Sequence, residues 1–447
     1  MSELFQRLYS EIEKIPLVDT HEHLMSESMR LNQKIDFFYW FSHYASSDLV
    51  SAGMPHPVLD KLLDHHLPLD DRWAEFEPFW RVVRTTAYGR VLLMAAGDLF
   101  SVDDINTRTY QELSEKISAS NFNGWYEVVL KERANIGISV LQPKSDDPTP
   151  LDGFDPRFFA PVYGLDTVLT PSNRDDLLAL EGETGVAIYS LDDLLKALDA
   201  AQEQATGAAV VALKIALAYL RTIRFDKTSK ADAEKVFNRL FRYPVSSEGP
   251  TRQAPVSWQE AKPLHDYLMH QAVQRAIELD LPIQIHTGIQ EGSGNILKNA
   301  HPLHLVNLFI EYPQARFDLF HAGYPFQSEM AVLGKNFPNV FVDMCWLHAI
   351  SPWVARQTLH EWIETIPANK IFAFGGDYVF VEGAYAHAQM ARKNVAVVLA
   401  EKVETGYLAE SEAVVMAHLI LHHNAAQFFD LSLNCSSDCK WRVAEED

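Results

Sequence analysis

Along this chain, short uninterrupted apolar runs alternate with longer segments in which apolar residues return every three or four positions. Runs of the first kind predict buried strands, and segments of the second kind predict amphipathic helices. Strands are expected at about 16–20, 137–142, 158–164, 209–214, 282–286, 316–321, 339–344 and 371–376. Helical periodicity marks 1–14 (Leu4, Phe5, Leu8, Ile12), 265–279 (Leu268, Ala272, Ala276, Leu279), 302–312 and 354–366, and then 384–405 and 411–429 after the last strand. Strand and helix alternating eight times is the pattern of a (β/α)8 barrel, whose active site collects at the C-terminal ends of the strands.

Two intervals are too long for plain connections. Residues 24–136 are helical in pattern and rich in aromatics (Phe37 to Phe41, then Trp73, Phe76, Phe79 and Trp80), which predicts a helical insertion after strand 1, placed to roof the pocket. The interval 221–262 holds a helix near 231–241 and a polar, proline-containing stretch at 243–256, expected to be a lid or substrate loop. The division expected is therefore 1–23 for the N-terminal helix and strand 1, 24–136 for the insertion, 137–430 for the rest of the barrel and 431–447 for a polar tail. With the first candidate ligand at residue 21, there is no room for an N-terminal β-sandwich.

Composition narrows the class of molecule. The 447 residues are 47% hydrophobic and 22% charged, as in a soluble globular enzyme. A net charge of −22 argues against nucleic-acid backbones and anionic membrane surfaces, and leaves a small-molecule substrate as the expected partner. No apolar run is long enough to span a bilayer, and the first residues lack the basic start and apolar core of a signal peptide. The 3 cysteines, at 345, 435 and 439, are too few for a disulfide framework, so a cytoplasmic location is expected and Cys435 and Cys439 read as incidental. A homo-oligomer is compatible with the pattern, and Phe37 to Phe41 could serve as an interface as easily as a roof.

The predicted strand ends carry the chemistry. Pro16-Leu17-Val18-Asp19-Thr20-His21-Glu22-His23 ends a strand in His-x-His, and side chains at i and i+2 leave one face of a strand, so both imidazoles can reach one cation. Four further apolar runs end in Lys214, His286, His321 and Asp377. Imidazole nitrogens and carboxylate oxygens suit zinc and similar divalent ions. A cation held by His21, His23 and Asp377 would acidify water, and Asp377 could take the proton and deliver it to a leaving group. Gly375 and Gly376 would let the backbone approach closely there. His286 is a further ligand or the first of a second metal. His321 is a ligand or a hydrogen-bond donor to substrate. Lys214 has three readings: a carbamate bridging two metals, an ammonium binding a substrate carboxylate with Arg221, or a structural ion pair. Gln142, Lys144, Tyr163, Tyr219, Arg221, Trp346 and His348 follow strands 2, 3, 4 and 7 and are candidates for substrate selection, with Arg221 and Lys144 suited to a carboxylate.

This ordered set, His21-x-His23, Lys214, His286, His321 and Asp377, resembles the amidohydrolase superfamily over essentially the whole chain. The resemblance implies a distorted TIM barrel with one or two divalent metals, most often zinc, and catalytic roles for Asp377, His321 and Lys214. Ala212-Leu213-Lys214, Tyr219-Leu220-Arg221, Ile285-His286-Thr287-Gly288 and His321-Ala322-Gly323-Tyr324-Pro325 look like the amidohydrolase-2 branch, including the domain fused to glutamine synthetase in nodulin-like proteins. The chain departs from that branch's Ser/Thr-Asp motif, reading Gly376-Asp377-Tyr378. The long helical insertion (Trp73, Pro78, Tyr88, then 100–113) looks more like uronate isomerase, although Lys214 is not expected there. The activity implied first is metal-dependent hydrolysis of a C–N or C–O bond in a small polar, carboxylate-bearing molecule. The alternative is isomerisation of a sugar acid, or non-oxidative decarboxylation, on the same metal site.

Overall fold

The computed structural model describes residues 2–144, 147–242 and 256–431. The polar stretch expected as a lid lies almost wholly outside them, as do Cys435, Cys439 and nearly all of the tail. Eight parallel strands run in the order β1 to β8: β1 Leu17–Glu22, β2 Ile136–Leu141, β3 Phe159–Gly164, β4 Ala212–Ile215, β5 Ile283–His286, β6 Phe317–Phe320, β7 Val340–Asp343 and β8 Ile371–Phe372. The barrel predicted from periodicity is therefore present, nearly closed, with helices around it. Beyond the β8 ladder the backbone of Thr20 donates to Phe374 O (3.2 Å) and that of Asp377 to His21 O (2.7 Å), which joins the last strand exit to the first. Strand β8 is shorter than expected because Ala373 N turns away to Ile420 O (2.8 Å).

The outer helices follow the periodic segments. Glu3–Lys14 starts at Ser2, whose hydroxyl accepts from Phe5 N, and buries Phe5, Leu8 and Ile12. The i, i+3, i+7 spacing puts these three on one stripe, which packs on the long helix Val381–Glu404. The interval 221–262 contains the expected helix, Lys230–Phe241. The helix Trp258–Glu278 begins earlier than its apolar period suggested, since Ser257 and Glu260 form a reciprocal capping box there.

Between β1 and β2 the chain is helical, with segments that include Tyr44–Ser51, Leu69–Val83 and Ala87–Phe100. Phe37, Phe38, Trp40 and Phe41 are buried, and Phe41 packs edge-on against Phe76 (centroids 4.7 Å) and Trp80 (5.9 Å). The idea that Phe37 to Phe41 form a subunit interface is thus corrected: these rings are used up in the chain's own core. The region is anchored to the barrel by Glu382, whose buried carboxylate accepts from Arg30 Nη2 (2.7 Å) and Trp125 Nε1 (2.8 Å). Among the described residues no helix is long and apolar enough to cross a membrane.

Candidate active site

All six residues expected as ligands meet at the C-terminal mouth of the barrel. His21 and His23 face the same point, with Nε2 atoms 3.3 Å apart. Asp377 Oδ1 lies 3.8 Å from His21 Nε2 and 3.5 Å from His23 Nε2, while Oδ2 lies 3.8 Å from His321 Nε2. The two carboxylate oxygens therefore look toward two different histidine groups. His286 Nδ1 is 3.0 Å from His321 Nε2, and Lys214 Nζ is 3.3 Å from His21 Nε2 and 3.1 Å from Gln142 Oε1.

Backbone geometry aims these groups inward. His321, Trp346 and Asp377 follow β6, β7 and β8, and all three have left-handed backbones (φ 68°, 65° and 58°). Non-glycine residues pay about 1–3 kcal/mol for such conformations, which persist where surrounding structure enforces them. The two glycines before Asp377 are explained sterically. A Cβ on Gly376 would fall 1.7 Å from Glu22 Oε1, and one on Gly375 would fall 2.5 Å from Thr20 Oγ1.

The hydrogen bonds assign the imidazole protons. His23 Nδ1 faces Gln142 O (3.1 Å), His286 Nε2 faces Ile289 O (2.8 Å) and His321 Nδ1 faces Cys345 O (3.4 Å). A carbonyl only accepts, so each of these nitrogens carries the proton and the other nitrogen presents a lone pair. This is the arrangement by which metal-ligating histidines are held. Burial reinforces it. It pushes His23 and His286 down to about 3, with the Lys214 charge adding to the effect, and likewise holds His21 and His321 well below the usual histidine range.

These residues fit a divalent cation. Ligand atoms about 2.0–2.2 Å from one tetrahedral ion stand about 3.3–3.6 Å apart, close to the 3.3–3.8 Å separations of His21, His23 and Asp377. Lone pairs 3.0 Å apart on His286 and His321 repel unless something positive lies beside them. A second trio, His321, Cys345 and Asp377, also has its ligand atoms within 4.8 Å of one another. Burial raises Asp377 to about 7 against the pull of Lys214 and of the Tyr44 hydroxyl, and a neighbouring cation would pull it back down. Burial likewise lowers Lys214, which rests 4.5 Å from the centre of the Phe320 ring.

The substrate candidates divide. Gln142 and Tyr219 reach the site: Gln142 holds Lys214 and His23, while Tyr219 packs on His286 (centroids 5.0 Å) and accepts from Glu291 N (3.0 Å). The charge of Lys144 is felt by both His23 and Glu291. Trp346 stands edge-on to His321 (5.2 Å) and lines a cavity of about 490 Å³ with Tyr44, Asp48, Tyr88, Gln290 and Glu291. Three others have different tasks. Arg221 is fully buried and paired with Asp266 (2.6 Å), which corrects its reading as a carboxylate binder. His348 is also fully buried, its Nε2 on Ala373 O (2.9 Å) and its Nδ1 facing Asn394 Nδ2 (3.2 Å), so it braces the β8 exit instead of selecting substrate. The Tyr163 hydroxyl bonds Glu183 on an outer helix.

Sequence reasoning missed Tyr44, whose hydroxyl donates to Asp377 Oδ2 (2.5 Å) and whose ring stacks on Trp346 (4.3 Å). Nothing local flags it, because it arrives from the stretch between β1 and β2. Also missed was the polar floor below the site. Asp19 accepts from Gly376 N (2.8 Å) and Ser139 Oγ (2.8 Å), Asp318 from Gln284 Nε2 (2.9 Å), and Asp343 from Cys345 N (2.7 Å). Burial raises Asp19 to about 6 and Asp318 to about 7, which lets these acids share a dry interior. Here a signal existed: each acid interrupts an apolar strand at an inward position.

Residues 193–431 match the sequence model of a protein family described as Amidohydrolase. A stretch of 235 residues, 50% of this chain, is 29% identical to Protein fluG of Emericella nidulans. The chain spans only about a quarter of that relative's length, 26%. Among solved structures, the uronate isomerase of Thermotoga maritima superposes with a TM-score of 0.78 at 17% identity, covering 96% of this chain and 98% of that one. The glucuronate isomerase of Caulobacter crescentus does so with a TM-score of 0.75 at 16% identity, covering 97% and 95%. At such identities the likeness is one of fold.

Proposed function

Taking as premise that the chain belongs to the amidohydrolase family, we propose that it is a metal-dependent hydrolase of C–N or C–O bonds in a small, polar, carboxylate-bearing substrate. The observation that carries this reading is Asp377, a buried carboxylate with one oxygen toward His21 and His23 and the other toward His321 and the Tyr44 hydroxyl. His21, His23 and Asp377 would hold a divalent cation, zinc by its donor set, with His286 and His321 beside it. Such an ion supplies the Lewis acidity that lets water attack near neutral pH.

The chain's own groups do the rest. Asp377 takes the proton of the attacking water and returns it to the leaving group. Tyr44 holds the carboxylate in register through Oδ2. Trp346 and Tyr44 wall the cavity, and Lys144, whose charge acts on both His23 and Glu291, is the cation assigned to the substrate carboxylate now that Arg221 is committed to Asp266. Lys214, with its amine between His21 and Gln142, is placed either to be carbamylated or to face the substrate. Residues 24–136 act as the roof of this pocket.

Elemental analysis of protein expressed with zinc and bicarbonate and purified without chelators tests the assignment of Lys214. One metal per chain would favour the ammonium, whereas two would be compatible with the carbamate, which a carbamate carbon signal in NMR of protein prepared with ¹³C-bicarbonate then identifies. If His21→Ala and Asp377→Asn proteins, still folded, turned over an identified hydrolase substrate at the wild-type rate, the hydrolase reading would fail. A second reading, sugar-acid isomerisation, is favoured by the Tyr44 to Asp377 contact, which offers a proton-carrying pair beside the site. Following a uronate panel by NMR for aldose-to-ketose conversion decides it, and no turnover removes it.

A further inference from the structure

We infer that Cys345 is a metal ligand, its thiolate joining His321 and the Oδ2 side of Asp377 around a cation distinct from the one held by His21 and His23. This rests on the proposal that the cluster binds divalent metal, and not on any choice of substrate.

The first observation is placement. Cys345 follows β7, is fully buried, and forms no disulfide. Its ligand atom and those of His321 and Asp377 lie within 4.8 Å of one another, three donors from the ends of three different strands. Its backbone is held on both sides, N–H on Asp343 Oδ1 (2.7 Å) and carbonyl accepting from His321 Nδ1 (3.4 Å). The glycine at 375 leaves the space that the side chain uses, since a Cβ there would stand 2.8 Å from Cys345 Sγ.

The second observation is independent and concerns the histidines. With the His321 proton committed to Cys345 O and the His286 proton to Ile289 O, His321 Nε2 and His286 Nδ1 confront each other as lone pairs across 3.0 Å. Both residues are more than nine-tenths buried, so water does not relieve the contact. In the tautomers that the two carbonyls select, a cation beside this contact would satisfy both lone pairs. The carboxylate agrees: Asp377 turns Oδ1 to His21 and His23, and Oδ2 to His321.

The two positions then differ in chemistry. The first offers imidazole and carboxylate only, whereas the second adds sulfur, and soft thiolate selects ions such as zinc or cobalt over magnesium, calcium or manganese. Binding is a simple exchange: the Cys345 S–H bond breaks, the sulfur lone pair forms a bond to the cation, and the proton leaves to solvent. No electron transfer is involved.

The test uses the full chain with Cys435→Ser and Cys439→Ser, so that Cys345 is the single thiol, stripped by chelator and titrated with Co²⁺. A near-ultraviolet thiolate-to-cobalt charge-transfer band is expected, together with its loss in Cys345→Ser while the visible cobalt bands of the first position remain. Cobalt bound without that band, or a band that survives Cys345→Ser, overturns the inference and leaves the metal-dependent reading intact. No cobalt bound at all overturns both. Should Cys345→Ser fail to fold, X-ray absorption on the zinc-loaded single-thiol protein decides without it, because a sulfur ligand stands at about 2.3 Å and nitrogen or oxygen at about 2.0–2.2 Å. A shell fitted by nitrogen and oxygen alone rejects Cys345.

Discussion

Replacing Arg221 by Met tests whether this arginine serves structure or substrate. Its guanidinium is fully buried and committed: Nη2 to Asp266 Oδ1 (2.6 Å) and Arg224 O (3.0 Å), Nε to Thr222 O (2.9 Å). Removing one partner of a buried ion pair costs about 3–5 kcal/mol, because the other charge is left in a dry site. Here Asp266 keeps Lys262 and the N–H of Asp226 (3.0 Å), and methionine refills much of the arginine volume. The expected loss for Arg221→Met is therefore about 3 kcal/mol, the lower edge of that range. Urea unfolding followed by tryptophan fluorescence measures it, with midpoints compared where the slopes agree. The double variant Arg221→Met/Asp266→Leu should recover part of the loss, since removing both charges also removes the stranded one. KM on an identified substrate should not change. A wild-type midpoint for Arg221→Met with a raised KM would return the arginine to the substrate and refute the argument from burial.

Tyr44→Phe removes one hydrogen bond to a charged carboxylate, worth about 1.5–3 kcal/mol. The expected result is a kcat lower by about 10- to 100-fold at unchanged metal content, and an unaltered kcat would separate Tyr44 from the chemistry. Gly376→Ala drives a methyl to within 1.7 Å of Glu22 Oε1, so the folded protein should be destabilised and lose metal, read by thermal midpoint and elemental analysis. His348→Gln keeps a donor where Nε2 meets Ala373 O and should be milder than His348→Asn, a ranking that equal midpoints would contradict. Burial pushes His348 down to about 4, below its ordinary value near 6.5, so its stabilising contribution is complete above about pH 6.5 and is lost as pH falls toward 4, where the unfolded chain takes up the proton. The stability gap between wild type and His348→Gln should accordingly narrow over that window, and a gap constant with pH would show that His348 titrates normally.

The barrel and the ligand set were legible because both depend on local alternation. A strand buried on both faces reads as an apolar run, and the residue that ends it must sit at the barrel mouth once the strands close. His21, His23, His286, His321 and Asp377 could be placed that way without knowing any distance between them. Arg221 and His348 were misread for a related reason: they also follow strands, and polarity at a strand end resembles a ligand until a buried partner such as Asp266 or Asn394 is seen.

What the sequence determined by itself was the order of eight strands and the chemical identity of the groups at their ends, since hydrophobic period and strand direction are properties of neighbouring residues. Only the tertiary structure decided which groups touch. Tyr44 meets Asp377 across 333 positions of chain, and Cys345 comes beside His321 and Asp377 through a turn whose backbone is tied to the β8 exit, Met344 N to Phe372 O (2.9 Å) and Trp346 N to Gly375 O (2.9 Å). Such contacts depend on how helices far apart in sequence pack on the barrel, and the left-handed backbones at His321, Trp346 and Asp377 are held in place by that packing and not by local preference.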